Sequence, residues 1–216
     1  MKSKLILGTA QFGMDYGINN DNGKPSFKKI KEILDFAHSN AICLLDTAEA
    51  YGDSQERIGQ YHKTTSKIFN IITKFSTHRK DLSLNIKERI NQNLKTLEVN
   101  SIYCYMFHSF EDYLKYFSFY QNDLIDLIEK KIIKKIGVSL HSNKDIELIF
   151  KNDLIKVIQL PFNLLDNSSH RKKILLKAKH LNIEVHTRSV FLQGLFFKNP
   201  NEISGNLIEL RKNLIT

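Results

Sequence analysis

Four residues in this sequence have the types and spacing for proton transfer to a carbonyl oxygen. Asp46 and Tyr51 lie in LLDTAEAYGDSQERIG (44–59), Lys74 lies near the end of IFNIITKF (68–75), and His108 closes SIYCYMFH (101–108). A phenol gives up its proton readily only where a nearby cation stabilises the phenolate, and Lys74 can be that cation. An ammonium at a buried strand end is costly alone, so Asp46 on the neighbouring strand suits it as counter-ion. His108 can hydrogen-bond a substrate oxygen as charge develops there. Singly, each has a plainer use: Asp46 can cap a loop, Tyr51 can pack, Lys74 can snorkel, and His108 can be a satisfied core histidine. Their joint placement at the ends of three successive apolar runs sets them apart.

The elements that must position them follow from the hydrophobic pattern. Short apolar, β-branched runs occur at 5–10, 41–48, 68–75, 101–108, 132–140, 155–162 and 183–190. Helical stretches lie between them. Ser26 can cap a helix whose apolar face is Phe27, Ile30, Leu34 and Ala37. Asp53 with Glu56 three residues on has the pattern of a capping box. Ile86, Ile90, Leu94 and Leu97 form another stripe, as do Ile174, Leu175, Ala178 and Leu181. Strands alternating with helices roughly every 30 residues imply parallel strands joined by crossovers. Seven such units in a row favour a βα barrel over an open doubly wound sheet, and the G-x-G-x-x-G turn of a dinucleotide-binding open sheet is absent. In a βα barrel, chemistry belongs at the carboxyl ends of the strands, where Asp46, Lys74 and His108 fall and where Tyr51 follows in a loop.

Composition bounds the rest. The 216 residues, 42% hydrophobic, suit a single domain over 1–216. The formal charge of +9 is spread along helices among acidic residues, the pattern of a solvated surface; it permits a phosphorylated ligand without requiring nucleic acid. The two cysteines, Cys43 and Cys104, each sit in an apolar run, where reduced cysteines act as small core hydrophobes, and this suits the cytoplasm. MKSKLILGTAQFG is too short in apolar residues for a signal-peptide core, and no run reaches membrane length.

The motifs LGTAQFG, LLDTAEAYGDSQERIG, IITKF, YMFHS, IGVSLHS, QLPFN and RSVFLQGLF, in this order, resemble the successive strand-end motifs of the aldo-keto reductase superfamily over nearly the whole chain. The D-T-A-x-x-Y-G element is the most specific of them. The resemblance implies a TIM-type (β/α)8 barrel and hydride transfer between NADP(H) and a small carbonyl substrate. Its catalytic tetrad falls on Asp46, Tyr51, Lys74 and His108, with Tyr51 the general acid. It further implies that Gly8 and Thr9 approach the nicotinamide end of the cofactor, that Ser139 and Gln159 hold its carboxamide, and that Ser189, Phe191 and Gln193 touch it from the loop after the seventh strand. Two positions depart from the family pattern: Arg188, a further cofactor-binding residue by the resemblance, stands where relatives commonly place an aromatic residue against the nicotinamide, and its flat guanidinium can stack there while adding charge beside the ring, and Leu140 stands where many have asparagine. A third departure concerns LFFKNPNEISGNLIELRKNLIT (195–216), which reads as the start of a further helix with no eighth strand or last helix after it. Three outcomes are open: the chain closes in an unusual way, a partner chain or an oligomer covers the open barrel edge, or the chain is a truncated product whose site binds cofactor weakly.

Two other readings stand beside this one. His108, His141 and His186 near strand ends, with Asp46, suit a metal-dependent hydrolase barrel, although no H-x-H or H-E-x-x-H spacing is present and a metal leaves the Tyr51/Lys74 pair unexplained. The open edge suits a family member of weak or no activity that serves as a binding or regulatory subunit.

Overall fold

The computed structural model describes residues 3–18, 20–79, 83 and 85–203. The strands are β1 (Leu7–Gly8), β2 (Leu44–Asp46), β3 (Asn70–Phe75), β4 (Cys104–Phe107), β5 (Ile136–Ser139), β6 (Ile155–Pro161) and β7 (Glu184–Arg188). The helices are α1 (Ala10–Gly13), α2 (Phe27–Ser39), α3 (Ser54–Thr64), α4 (Ile86–Leu97), α5 (Phe110–Glu129), α6 (Asn143–Ile149) and α7 (Ser168–His180), followed by 3-10 turns at Leu192–Phe197 and Pro200–Glu202. Every pairing between neighbouring strands is parallel, and the strands lie in chain order from β1 to β7. The sheet curls as a (β/α)8 barrel does, but lacks the eighth strand, so among the described residues nothing joins β7 to β1. Of the helix expected from 195 onward, 195–203 holds the end of the first 3-10 turn and all of the second, and 204–216 lies outside the described residues.

Strand alternation separates two cores. Along β4, Cys104 and Met106 point inward to join Ile72 and Val157, while Tyr105 and Phe107 point outward into the helices with Phe75, Phe117, Leu124 and Ile136. A second outer cluster packs α2 and α3 on the sheet through Ile30, Leu34, Leu45, Ile58 and Ile71. Ser26 caps α2 as its sequence suggests, accepting from the Lys29 N–H at 3.3 Å, and Asn85 caps α4 by accepting from Lys87 and Glu88.

Three local expectations are corrected. Asp53 precedes α3 but its carboxylate makes no cap; Lys24 Nζ at 2.6 Å and Arg57 Nε at 3.0 Å hold it instead. Leu181 lies just beyond the last turn of α7, before Asn182 at φ 52°, and is exposed rather than part of the stripe. Cys104 is a core residue, whereas Cys43 is exposed, because it precedes β2 beside the open side of the sheet.

Candidate active site

The same alternation that fills the interior with Ile72, Met106 and Val157 brings the polar residues together. Two residues on from inward-facing neighbours, Lys74, His108 and Gln159 face the barrel axis, and Asp46, Ser139 and Arg188 join them at the strands' carboxyl ends. All but the buried Lys74 line one cleft of about 1190 Å³, with Tyr51 at its rim.

Lys74 is fully buried, and its Nζ donates to Asp46 Oδ1 at 2.6 Å and to the Thr47 carbonyl at 2.9 Å. The same ammonium lies 5.0 Å from the centroid of the Tyr51 ring. Burial opposes its charge, but the Asp46 carboxylate and the Tyr51 hydroxyl offset that cost and hold the ammonium above its ordinary range. The Tyr51 and His108 rings meet edge to face at 5.6 Å and 78°. Burial first, and the Lys74 charge second, push His108 down to about 4, so its imidazole is neutral at pH 7. The structure thus brings the four sequence-derived residues into one constellation.

The loop that carries Tyr51 is held from below by residues the sequence reading missed. Glu49 is fully buried; its carboxylate accepts from Asn93 Nδ2 at 2.6 Å, Arg89 Nε at 2.7 Å, Tyr105 Oη at 2.8 Å and the Ser76 N–H at 3.1 Å. Its own N–H donates to the Lys74 carbonyl at 3.2 Å, tying the loop to β3. Arg89 and Asn93 lie on the buried face of α4 with Ile86, Ile90 and Leu97. Two polar residues on an apolar stripe were the available signal. Above Glu49, Gly52 at φ +54° meets Gly13 of α1 so closely that a Cβ on Gly13 would stand 1.8 Å from the Tyr51 carbonyl oxygen.

The residues expected to meet a cofactor are distributed unevenly. Gly8 has nothing within 4 Å of where a Cβ would be and leaves its backbone open to the cleft. Thr9 is fully buried; its N–H and hydroxyl both donate to the Asp46 carbonyl, at 2.9 and 3.0 Å, so within this structure it positions the carboxylate residue. Gln159 Nε2 reaches Asp46 Oδ2 at 3.3 Å, and Ser139, its partner across the sheet, lines the cleft beside it. Arg188 stretches over this layer to His141, with Nη2 2.7 Å from Nε2, and its Nη1 donates to Ser189 Oγ at 3.4 Å. Gln193 Oε1 accepts from the Ile18 N–H at 3.2 Å, which bridges the loops after β7 and β1 across the mouth. Phe191 is exposed beside Phe197, with ring centroids 5.0 Å apart.

Deeper in the cleft, Glu184 gathers Tyr103 Oη, Lys135 Nζ and His186 Nε2, and these partners hold its carboxyl down at about 2, with His186 the largest cause. His186 is therefore engaged with Glu184 and His141 with Arg188, away from His108. Among the described residues no group of three or more His, Cys, Asp or Glu side chains could hold a metal ion.

A family model for the aldo/keto reductase family matches residues 4–212, and the chain belongs to that family. It is 25% identical over 212 residues to aldo-keto reductase str7 of Strobilurus tenacellus, covering 93% of this chain and 61% of that one. The chain thus spans about three fifths of that curated relative. Among solved structures, it resembles the holo form of aldo-keto reductase AKR11C1 from Bacillus halodurans, with TM-score 0.75 and 20% identity over 98% of this chain and 72% of the other. It also resembles an aldo/keto reductase of Klebsiella pneumoniae in complex with NADP and acetate, with TM-score 0.67 and 15% identity over 96% and 71% of the two chains. These likenesses show the fold. No helix of the described residues is long and apolar enough to cross a membrane.

Proposed function

We propose that this chain is an NADP(H)-dependent oxidoreductase that reduces a small aldehyde or ketone to its alcohol. The observation that carries the reading is the buried Lys74 ammonium, held between the Asp46 carboxylate at 2.6 Å and the Tyr51 ring at 5.0 Å. A cation so placed stabilises the Tyr51 phenolate left behind when the hydroxyl protonates a carbonyl oxygen, which makes Tyr51 the general acid. Asp46 keeps Lys74 charged and in place. Neutral His108, beside Tyr51, donates a hydrogen bond to the same oxygen and orients the carbonyl. The cofactor would supply the hydride. Gly8, Ser139 and Gln159 would seat its nicotinamide end, Thr9 would act through Asp46, and Ser189, Phe191 and Gln193 would cover it from the loop after β7. The open backbone of Gly8 beside Asp46, Ser139 and Gln159 in the cleft lining fits such a ligand. That the Klebsiella pneumoniae protein of like fold is found with NADP supports the choice of cofactor.

The β1 and β7 edges, unpaired among the described residues, support a further part of the proposal: a second chain or another copy covers that side. They also favour the second reading, a partner-dependent or regulatory member with weak activity alone. The two free cysteines suit a reducing, cytoplasmic setting.

The test is NADPH oxidation by the purified chain against a panel of aldehydes and ketones, with Tyr51→Phe as control. Turnover abolished by that change supports the reductase reading. A folded protein that neither binds NADPH nor turns over any carbonyl sinks it, and NADPH binding without turnover favours the regulatory reading.

A further inference from the structure

We infer that Arg188 makes the cleft discriminate between the redox forms of a nicotinamide cofactor, so that the reduced form binds at least about tenfold more tightly than the oxidised one. The inference rests on the proposed reading of the cleft as a nicotinamide site.

The described charged groups around the cleft mouth are matched or neutral, with one exception. Lys74 is matched by Asp46 at 2.6 Å. His108 is neutral at pH 7, and His141 is pushed down by burial and then by the Arg188 charge beside it. Below, Lys135 is matched by Glu184. Arg188 is different: it makes no ion pair among the described residues, its Nε is buried without a hydrogen-bond partner, and its Nη groups meet only His141 and Ser189. A guanidinium stays charged even where burial disfavours it. The mouth layer thus carries one positive charge that no carboxylate of the described residues pairs with: Asp46, the carboxylate that bears on Arg188 through space, is already matched by Lys74.

The position of that charge follows from the chemistry. A hydride donor must come within roughly 3–3.5 Å of the carbonyl carbon whose oxygen Tyr51 and His108 hold. The wall facing those two residues is the mouth layer of β5, β6 and β7, formed by Ser139, Gln159 and Arg188. A ring lying there rests against the guanidinium. An oxidised nicotinamide ring carries a unit positive charge and a reduced ring carries none, so Arg188 repels one form and not the other. At contact separations in a partly buried site, the repulsion exceeds a tenfold effect even after screening.

Two consequences follow for a reductase. The oxidised cofactor is expelled after turnover, so it inhibits weakly as product. Tenfold discrimination also shifts the bound two-electron couple by about 30 mV toward the reduced form.

The experiment is titration of the full chain with NADPH, followed by cofactor fluorescence, and displacement by NADP+, in wild type, Arg188→Gln and Arg188→Lys. The NADH and NAD+ pair is titrated in parallel, because it has the same ring-charge difference and lacks the 2′-phosphate. The expected result is an oxidised-to-reduced Kd ratio of about ten or more for both pairs, falling at least about fivefold in Arg188→Gln and retained in Arg188→Lys. Should Arg188→Gln not fold, the wild-type ratio must fall between low and high salt. A wild-type ratio near one overturns the inference. So does a ratio untouched by Arg188→Gln, or an equal weakening of both redox forms, which would make Arg188 a phosphate anchor. Reduced and oxidised cofactor bound without discrimination leaves the reductase reading standing, whereas a folded protein that binds neither overturns both.

Discussion

Tyr51, Lys74, Asp46 and His108 form one chain of contacts, with Asp46 on the Lys74 ammonium, the ammonium beside the Tyr51 ring and that ring against His108, so each has its own expected effect if the proposed chemistry holds. Tyr51→Phe should lower carbonyl reduction about 10²- to 10⁴-fold while NADPH affinity stays within about threefold, read by steady-state kinetics beside fluorescence titration. Lys74→Met leaves Asp46 facing the cleft without its cation; it should abolish measurable turnover and cost about 3 kcal/mol of stability in urea denaturation. The pH dependence of stability has a definite sign. The folded chain holds His108 neutral down to about 4, whereas the ordinary value is 6.5, so between those values the unfolded chain binds the extra proton. The stability that His108 contributes is therefore complete above pH 6.5 and lost as pH falls toward 4. Glu184, held down to about 2 against an ordinary 4.5, adds a second loss between those values. A Tm series from pH 8 to pH 3 that is flat below 6.5 would contradict the burial of His108.

At the scale of elements, the strand ends are positioned by the loop and helix that buttress them. Glu49→Ala would leave the Arg89 guanidinium buried beside Ser76 without its carboxylate, at a cost of roughly 3–5 kcal/mol; Asn85→Ala, which removes only the α4 cap, should cost about 1 kcal/mol. Chemical denaturation of both variants separates the two sizes of effect. The strands, and the placement of Asp46, Lys74 and His108 at or near their carboxyl ends, were legible in the sequence because the apolar runs that carry them obey the two-residue alternation. The Glu49 network was not, since a glutamate in a polar-looking loop gives no sign of burial, and only Arg89 and Asn93 on the α4 stripe hinted at a partner. Asp53 shows the opposite failure: its spacing to Glu56 imitates a cap, but Lys24 and Arg57 compete for its carboxylate and win. Thr9 was expected to face the cofactor, and its hydrogen bonds to Asp46 depend on a strand pairing that local sequence does not display.

For the whole molecule, the cleft and the fold are thermodynamically linked. If NADPH binds only the folded chain, a concentration of 100 Kd should stabilise it by about 2.7 kcal/mol, visible as an upward shift in Tm; no shift at saturating NADPH would contradict the proposed site. The strictly sequential sheet has a kinetic meaning as well. Each strand bonds only to the strands immediately before and after it in the chain, and no described pairing joins the first to the last. Every βα unit therefore finds its docking surface in the unit already made, so the loop to be closed at each addition stays short and its entropy cost small. Such a chain can assemble in the order of its synthesis, with the Asp46 and Lys74 layer formed while β6 and β7 are still to come.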